Sequence, residues 1–172
     1  MIINASPLII LAKINKLEIL KKIYESVEIA SSVYQEVVVK GLEINSIDAH
    51  IVKERIERKN IKVLALSSEF IEKAKKIESV YGIDIGEAET IALALQLNKK
   101  EAIIDEISAR DAAKAFGIKP IGTLRVLLIA YKNNLISKTD IKKLINEMES
   151  SKYRFSPKVL IEFWDLLEKI KK

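Results

Sequence analysis

The chain has 172 residues, of which 49% are hydrophobic and 31% charged, and its net charge is +5. That length and balance suit one soluble domain with a full core and exclude a disordered chain. Cysteine is absent and His50 is the sole histidine, which excludes disulfides, cysteine nucleophiles, thiolate metal sites and multi-histidine sites.

Met1-Ile2-Ile3 predicts a short buried strand. Ser6 as N-cap and Pro7 in the first turn predict a helix that runs to Ile14, and a second helix begins near Leu17. Val27-Glu28-Ile29 reads as a strand, followed by a helix capped by Ser31 or Ser32 and stopped by Gly41. Val33, Val37 and Val38 recur along that helix at helical spacing. Ile47 to Arg58 predicts an amphipathic helix, and His50 faces solvent on it. Ile61 to Leu64 is a strand, and Ser67 or Ser68 opens a helix that Gly82 stops. A buried helix from Asp84, a strand at Ile103-Ile104 and a helix from Ile107 to Phe116 follow. Ile118 to Ile121 is the last strand, and Gly122-Thr123 opens a further helix.

Short continuous apolar strands alternating with helices predict an α/β fold, a parallel sheet covered on both faces. From Ile136 only helices are expected, Thr139 to Met148 and Pro157 to Ile170. Residues 136–172 are therefore expected as a helical extension packed on the domain of residues 1–135. The apolar start lacks a basic leader and is interrupted by Asn4 and Pro7, so it is not expected to be a signal peptide. No apolar run approaches the ~20 residues of a membrane helix. A cytoplasmic location without membrane contact is the expectation.

Ligands of such sheets sit outside the carboxyl ends of the strands. Asn4, with Ser6 close by, follows the first strand; Glu36 lies on the helix after the second; Asp105 and Glu106 follow the Ile103 strand. The helix carrying Glu87 precedes that strand and can face the same edge. Carboxylates converging there would suit a divalent cation. Each also has a structural reading. Asp84 and Glu87 have capping-box spacing, Glu36 could border an apolar stripe, Asp105 could cap the next helix, and Glu106 could pair with Arg110. Arg110 is otherwise a candidate phosphate contact. Glu89 cannot share a helix face with Glu87.

Asn4-Ala-Ser-Pro-Leu-Ile, Val33-Tyr-Gln-Glu-Val-Val, Gly86-Glu-Ala-Glu-Thr-Ile-Ala-Leu-Ala, Ile104-Asp-Glu-Ile-Ser-Ala-Arg, Gly122-Thr-Leu and Phe155-Ser-Pro-Lys occur in this order along nearly the whole chain. In this order and spacing they resemble the PIN-domain family, in particular a prokaryotic, often archaeal branch of PIN-like nucleic-acid-binding proteins. The resemblance implies a three-layer α/β/α sandwich with a central, mostly parallel sheet. It implies a Mg²⁺- or Mn²⁺-dependent ribonuclease, in some members the toxin of a toxin–antitoxin pair. RNA, an antitoxin protein and a second copy of the chain are the partners implied. Glu36 matches the family's second acid and Glu87 the third, while the fourth falls on Asp105 or Glu106. The first falls on Asn4, which can ligate a hard cation through its carbonyl oxygen but brings no charge. Ser6, Arg110 and Thr123 are the expected nucleic-acid contacts. Two other readings compete. One is a binding module that kept the fold and lost the first acid. The other is a phosphoacceptor receiver domain using Lys119-Pro120, but it needs paired acids where this chain has only Asn4.

Overall fold

The computed structural model describes residues 1–170. Five short strands form one parallel sheet: β1 (Ile2–Ile3), β2 (Glu28–Ala30), β3 (Lys62–Leu64), β4 (Glu101–Ile103) and β5 (Lys119–Ile121), in the order β3-β2-β1-β4-β5. The central strands are largely apolar because helices cover both faces, and Ile2, Ile3, Ile29 and Ile103 are fully buried; Glu28 in β2 is buried too, paired with the N-terminal ammonium group at 2.7 Å. Pro120 sits in β5, an edge strand, where a missing backbone donor costs no ladder bond on the open side.

Three helices, α1 (Ala5–Lys13), α2 (Leu17–Ile23) and α5 (Ile47–Glu57), belong to one group, α1 touching both others, and α9 (Thr123–Lys132) joins them through α2. The helices α6 (Ser68–Tyr81), α7 (Ile85–Gln96) and α8 (Ile107–Ala115) contact one another in a second group, which α3 (Ser31–Tyr34) joins through α7. This is the three-layer α/β/α arrangement expected. The helices α10 (Lys138–Ser150) and α11 (Pro157–Lys169) add Ile141, Leu144, Met148, Phe163 and Leu167 to the same hydrophobic core.

Two helix boundaries differ from expectation. The first helix begins at Ala5 with Asn4 as its N-cap, so Ser6 and Pro7 lie inside its first turn. Gly41 does not end the third helical segment. The chain passes from α3 through a π-helical stretch, Gln35–Lys40, into α4 (Gly41–Glu43). The stop comes at Asn45, held in the left-handed region at φ 52°, as Asn15, Asn98 and Asn134 are after α1, α7 and α9. Gly41 is needed for close approach instead: a β-carbon there would lie 2.6 Å from the Ala49 Cβ on α5. No helix among the described residues is long and apolar enough to cross a membrane.

Candidate active site

The strand order places β1 at the centre of the sheet, with β2 on one side and β4 on the other. The chain builds outward to β3, then returns to β4, so the winding reverses between β1 and β4. A crevice opens at such a switch point, outside the carboxyl ends of the strands. Asn4 leaves β1 there, its amide donating to the Ile103 carbonyl at 3.0 Å. The Asn4 side chain is 4% exposed and accepts from the Thr90 hydroxyl at 3.2 Å. Thr90 also donates to the Gly86 carbonyl at 2.7 Å, which ties the end of β1 to the first turn of α7.

That first turn carries the acids. Asp84 caps α7 by accepting from the Glu87 amide at 2.8 Å, and Glu87 accepts from the Asp84 amide at 3.1 Å. The capping box therefore exists, and it coexists with an acidic cluster. Burial first, then the charges of Asp84, Glu106 and Glu36, push the Glu87 carboxyl up to about 7, against the lowering effect of the Asp84 amide. Glu36 stands in the first turn of the π-helical stretch, a distortion that often marks a functional position. Desolvation and the neighbouring Asp84 raise its carboxyl as well, and Lys40 opposes the rise. Gly86 leaves room between these groups. A β-carbon there would lie 3.2 Å from Asp84 Oδ1 and 3.3 Å from Glu36 Oε2, so both carboxylates reach the same small space.

Crowded carboxylates in a chain of net charge +5 repel one another until a proton or a cation enters. All the donors are hard oxygens, the chemistry that suits Mg²⁺ or Mn²⁺. Among the described residues, no three acids enclose a cation as they stand, and Glu87 is turned onto the Asp84 amide. Glu89 belongs to another structure: it accepts from the Ser32 amide at 3.0 Å and so caps α3, the role expected of Ser31 or Ser32 themselves.

Asp105 and Glu106 diverge at the end of β4. Glu106 is exposed and its charge acts on Glu87. Asp105 points the other way, accepting from the Thr123 amide at 2.8 Å and from the hydroxyls of Thr123 and Tyr153. It caps α9, not α8 as expected, and fastens the segment before α11 to the sheet. Burial and the adjacent Asp105 charge raise the Tyr153 phenol well above its ordinary value. Thr123, an expected nucleic-acid contact, is fully buried in this network. Arg110 does not pair with Glu106; it donates to the Ile104 carbonyl at 2.8 Å. Arg110 and the exposed Ser6 line a cavity of about 560 Å³ beside the acids.

Sequence reading did not place Asp84 or Tyr153 in this neighbourhood. Asp84 had a visible signal, since an N-cap acid shares its helix turn with Glu87. Tyr153 had none, because its partner lies 48 residues away.

Neither a curated protein nor a solved structure matches the chain. A family model described as a PIN domain matches residues 1–169, which includes both C-terminal helices and every acid of the cluster. With a parallel sheet whose switch point faces an acidic helix N-terminus, the chain belongs to the PIN-domain family.

Proposed function

We propose that the protein is a metal-dependent ribonuclease of PIN type, with Glu36, Glu87 and Glu106 as the acids that hold Mg²⁺ or Mn²⁺ and Asp84 beside them. The observation that carries this reading is the convergence of Asp84 Oδ1 and Glu36 Oε2 on the small space above Gly86, beside the buried Glu87 at the switch point. Glu106 takes the fourth family position rather than Asp105, whose oxygens are engaged by Thr123 and Tyr153. A bound divalent cation would make a water nucleophilic and stabilise the leaving oxygen of a phosphodiester. The chain's own contribution is a desolvated carboxylate cluster, aimed by the capping box of α7 and by the π-helical stretch.

Asn4 sets the strength of the site. It lacks the charge of an acid, and its oxygen already accepts from Thr90. Asn4→Asp should tighten Mn²⁺ binding and raise Mn²⁺-dependent cleavage of a mixed RNA pool. Equal metal affinity and no cleavage in both proteins would rule out the nuclease and leave the binding-module reading. A role as the toxin of a pair with an antitoxin protein belongs to the same proposal.

Self-association is a further part of it. Val80, Tyr81, Ile85 and Phe116 are large apolar side chains left exposed, and Tyr81 packs edge-on against Phe116 at 6.0 Å. These helical surfaces would form a homodimer. Light scattering at micromolar concentration should give twice the 19.4 kDa chain mass, and a monomer mass would refute the dimer.

A further inference from the structure

The cavity beside the acids is built jointly by the sheet edge and the C-terminal helices. Its floor is apolar: Leu124 and Leu128 from α9 and Phe163 from α11 are 7%, 3% and 3% exposed. Phe155 forms part of the wall, half-buried and packed edge-on against Tyr153 with ring centroids 5.4 Å apart. Cations surround it. Arg125, Lys152 and Arg154 line the cavity and form no salt bridge with any described residue, while Glu106 and Glu162 are its exposed acids. Unpaired guanidinium groups around an apolar, aromatic recess match a nucleotide, with its charged phosphate and flat apolar base. The volume of about 560 Å³ falls within the range of small-ligand pockets.

We propose that this cavity is a base-accepting subsite for single-stranded RNA, holding an unstacked base of a nucleotide next to the scissile phosphate. The proposal rests on the ribonuclease reading above. The base lies against Phe155 over the floor of Leu124, Leu128 and Phe163, and the flanking phosphates meet Arg125 and Arg154. Single strands are recognised in this way, because every unpaired base offers a face for stacking. Glu106 lines the cavity and also acts on Glu87, so a base seated here sets its own phosphate beside the acid cluster. The C-terminal helices thus form half of a substrate site. Asp105 anchors it through Tyr153.

The test is fluorescence anisotropy in EDTA, where cleavage is blocked, with two labelled probes: a short single-stranded RNA and the same backbone carrying abasic sites. Phe155→Ala removes the stacking face. Val159→Trp fills the cavity mouth from a position 44% exposed, so it leaves the core intact. Each should weaken binding of the intact RNA about tenfold and leave the abasic probe unchanged. Arg125→Ala and Arg154→Ala should weaken both probes. If Phe155→Ala and Val159→Trp bind intact RNA as the wild type does, or lose both probes equally, no base enters the cavity and this inference alone falls. A wild-type protein with no affinity for either probe overturns the ribonuclease reading as well.

Discussion

Replacing Glu87 by Gln should make the metal-free protein more stable at pH 8 while abolishing its Mn²⁺-dependent activity. The Glu87 carboxyl is raised from 4.5 to about 7 by burial and by the neighbouring acids. In the folded state it keeps its proton between those values, whereas in the unfolded chain it does not. Stability therefore falls as pH rises from 4.5 to about 7, and above that the folded protein carries the full cost of a desolvated, repelled charge. Gln imitates the protonated acid and still serves as the N3 partner in a capping box. The gain at pH 8 should be up to about 3 kcal/mol, or roughly 6–12 °C in the melting midpoint for a chain of this size. At pH 4 the two proteins should melt together. Added Mn²⁺ should stabilise the wild type above pH 7 and leave the variant unmoved, because only the wild type can exchange repulsion for coordination. A Glu87→Gln protein that is less stable than wild type at pH 8 would mean that Glu87 is not in a crowded acidic site.

The second large effect separates the neighbours Asp105 and Glu106. Asp105→Ala removes the acceptor of the Thr123 amide and of two hydroxyls, those of Thr123 and Tyr153. A lost helix cap and buried donors without partners should together cost about 3–5 kcal/mol. The link before α11 should also loosen, which limited proteolysis near Tyr153 would detect. Glu106 is exposed and makes no side-chain cap, so Glu106→Ala should change stability by only about 0.5 kcal/mol. Its effect should fall on metal affinity instead, and RNA cleavage should go with it. The opposite result, a stable Asp105→Ala protein without metal binding beside a fully active Glu106→Ala protein, would assign the fourth acid to Asp105.

Much of this arrangement was legible along the chain. Five short runs marked the strands, and each lies within two residues of its expected place; the central parallel strands, covered on both faces, leave no alternating pattern to misread, while the edge strands β3 and β5 stay partly open. Asp84 and Glu87 announced the start of α7 by spacing alone. The failures have local causes. Gly41 looks like a helix stop, yet its neighbour across the turn is Ala49, and a contact with the next helix has no signature at Gly41 itself. Asn45 carried the stop in a residue type that tolerates the left-handed region better than most side chains do.

What the sequence determined by itself is the alternation of strands and helices, the family, and the short list of acids that follow strands or open helices. These depend on neighbours within a few residues, where periodicity and capping act. Only the tertiary structure decided how those acids divide. The charges of Glu36, Asp84 and Glu106 act on Glu87 at the switch point, while Asp105 turns away to hold Thr123 and Tyr153 and Glu89 turns away to cap α3. Adjacent residues at the end of one strand cannot both face the same side of the sheet, and which one faces the crevice depends on partners far along the chain.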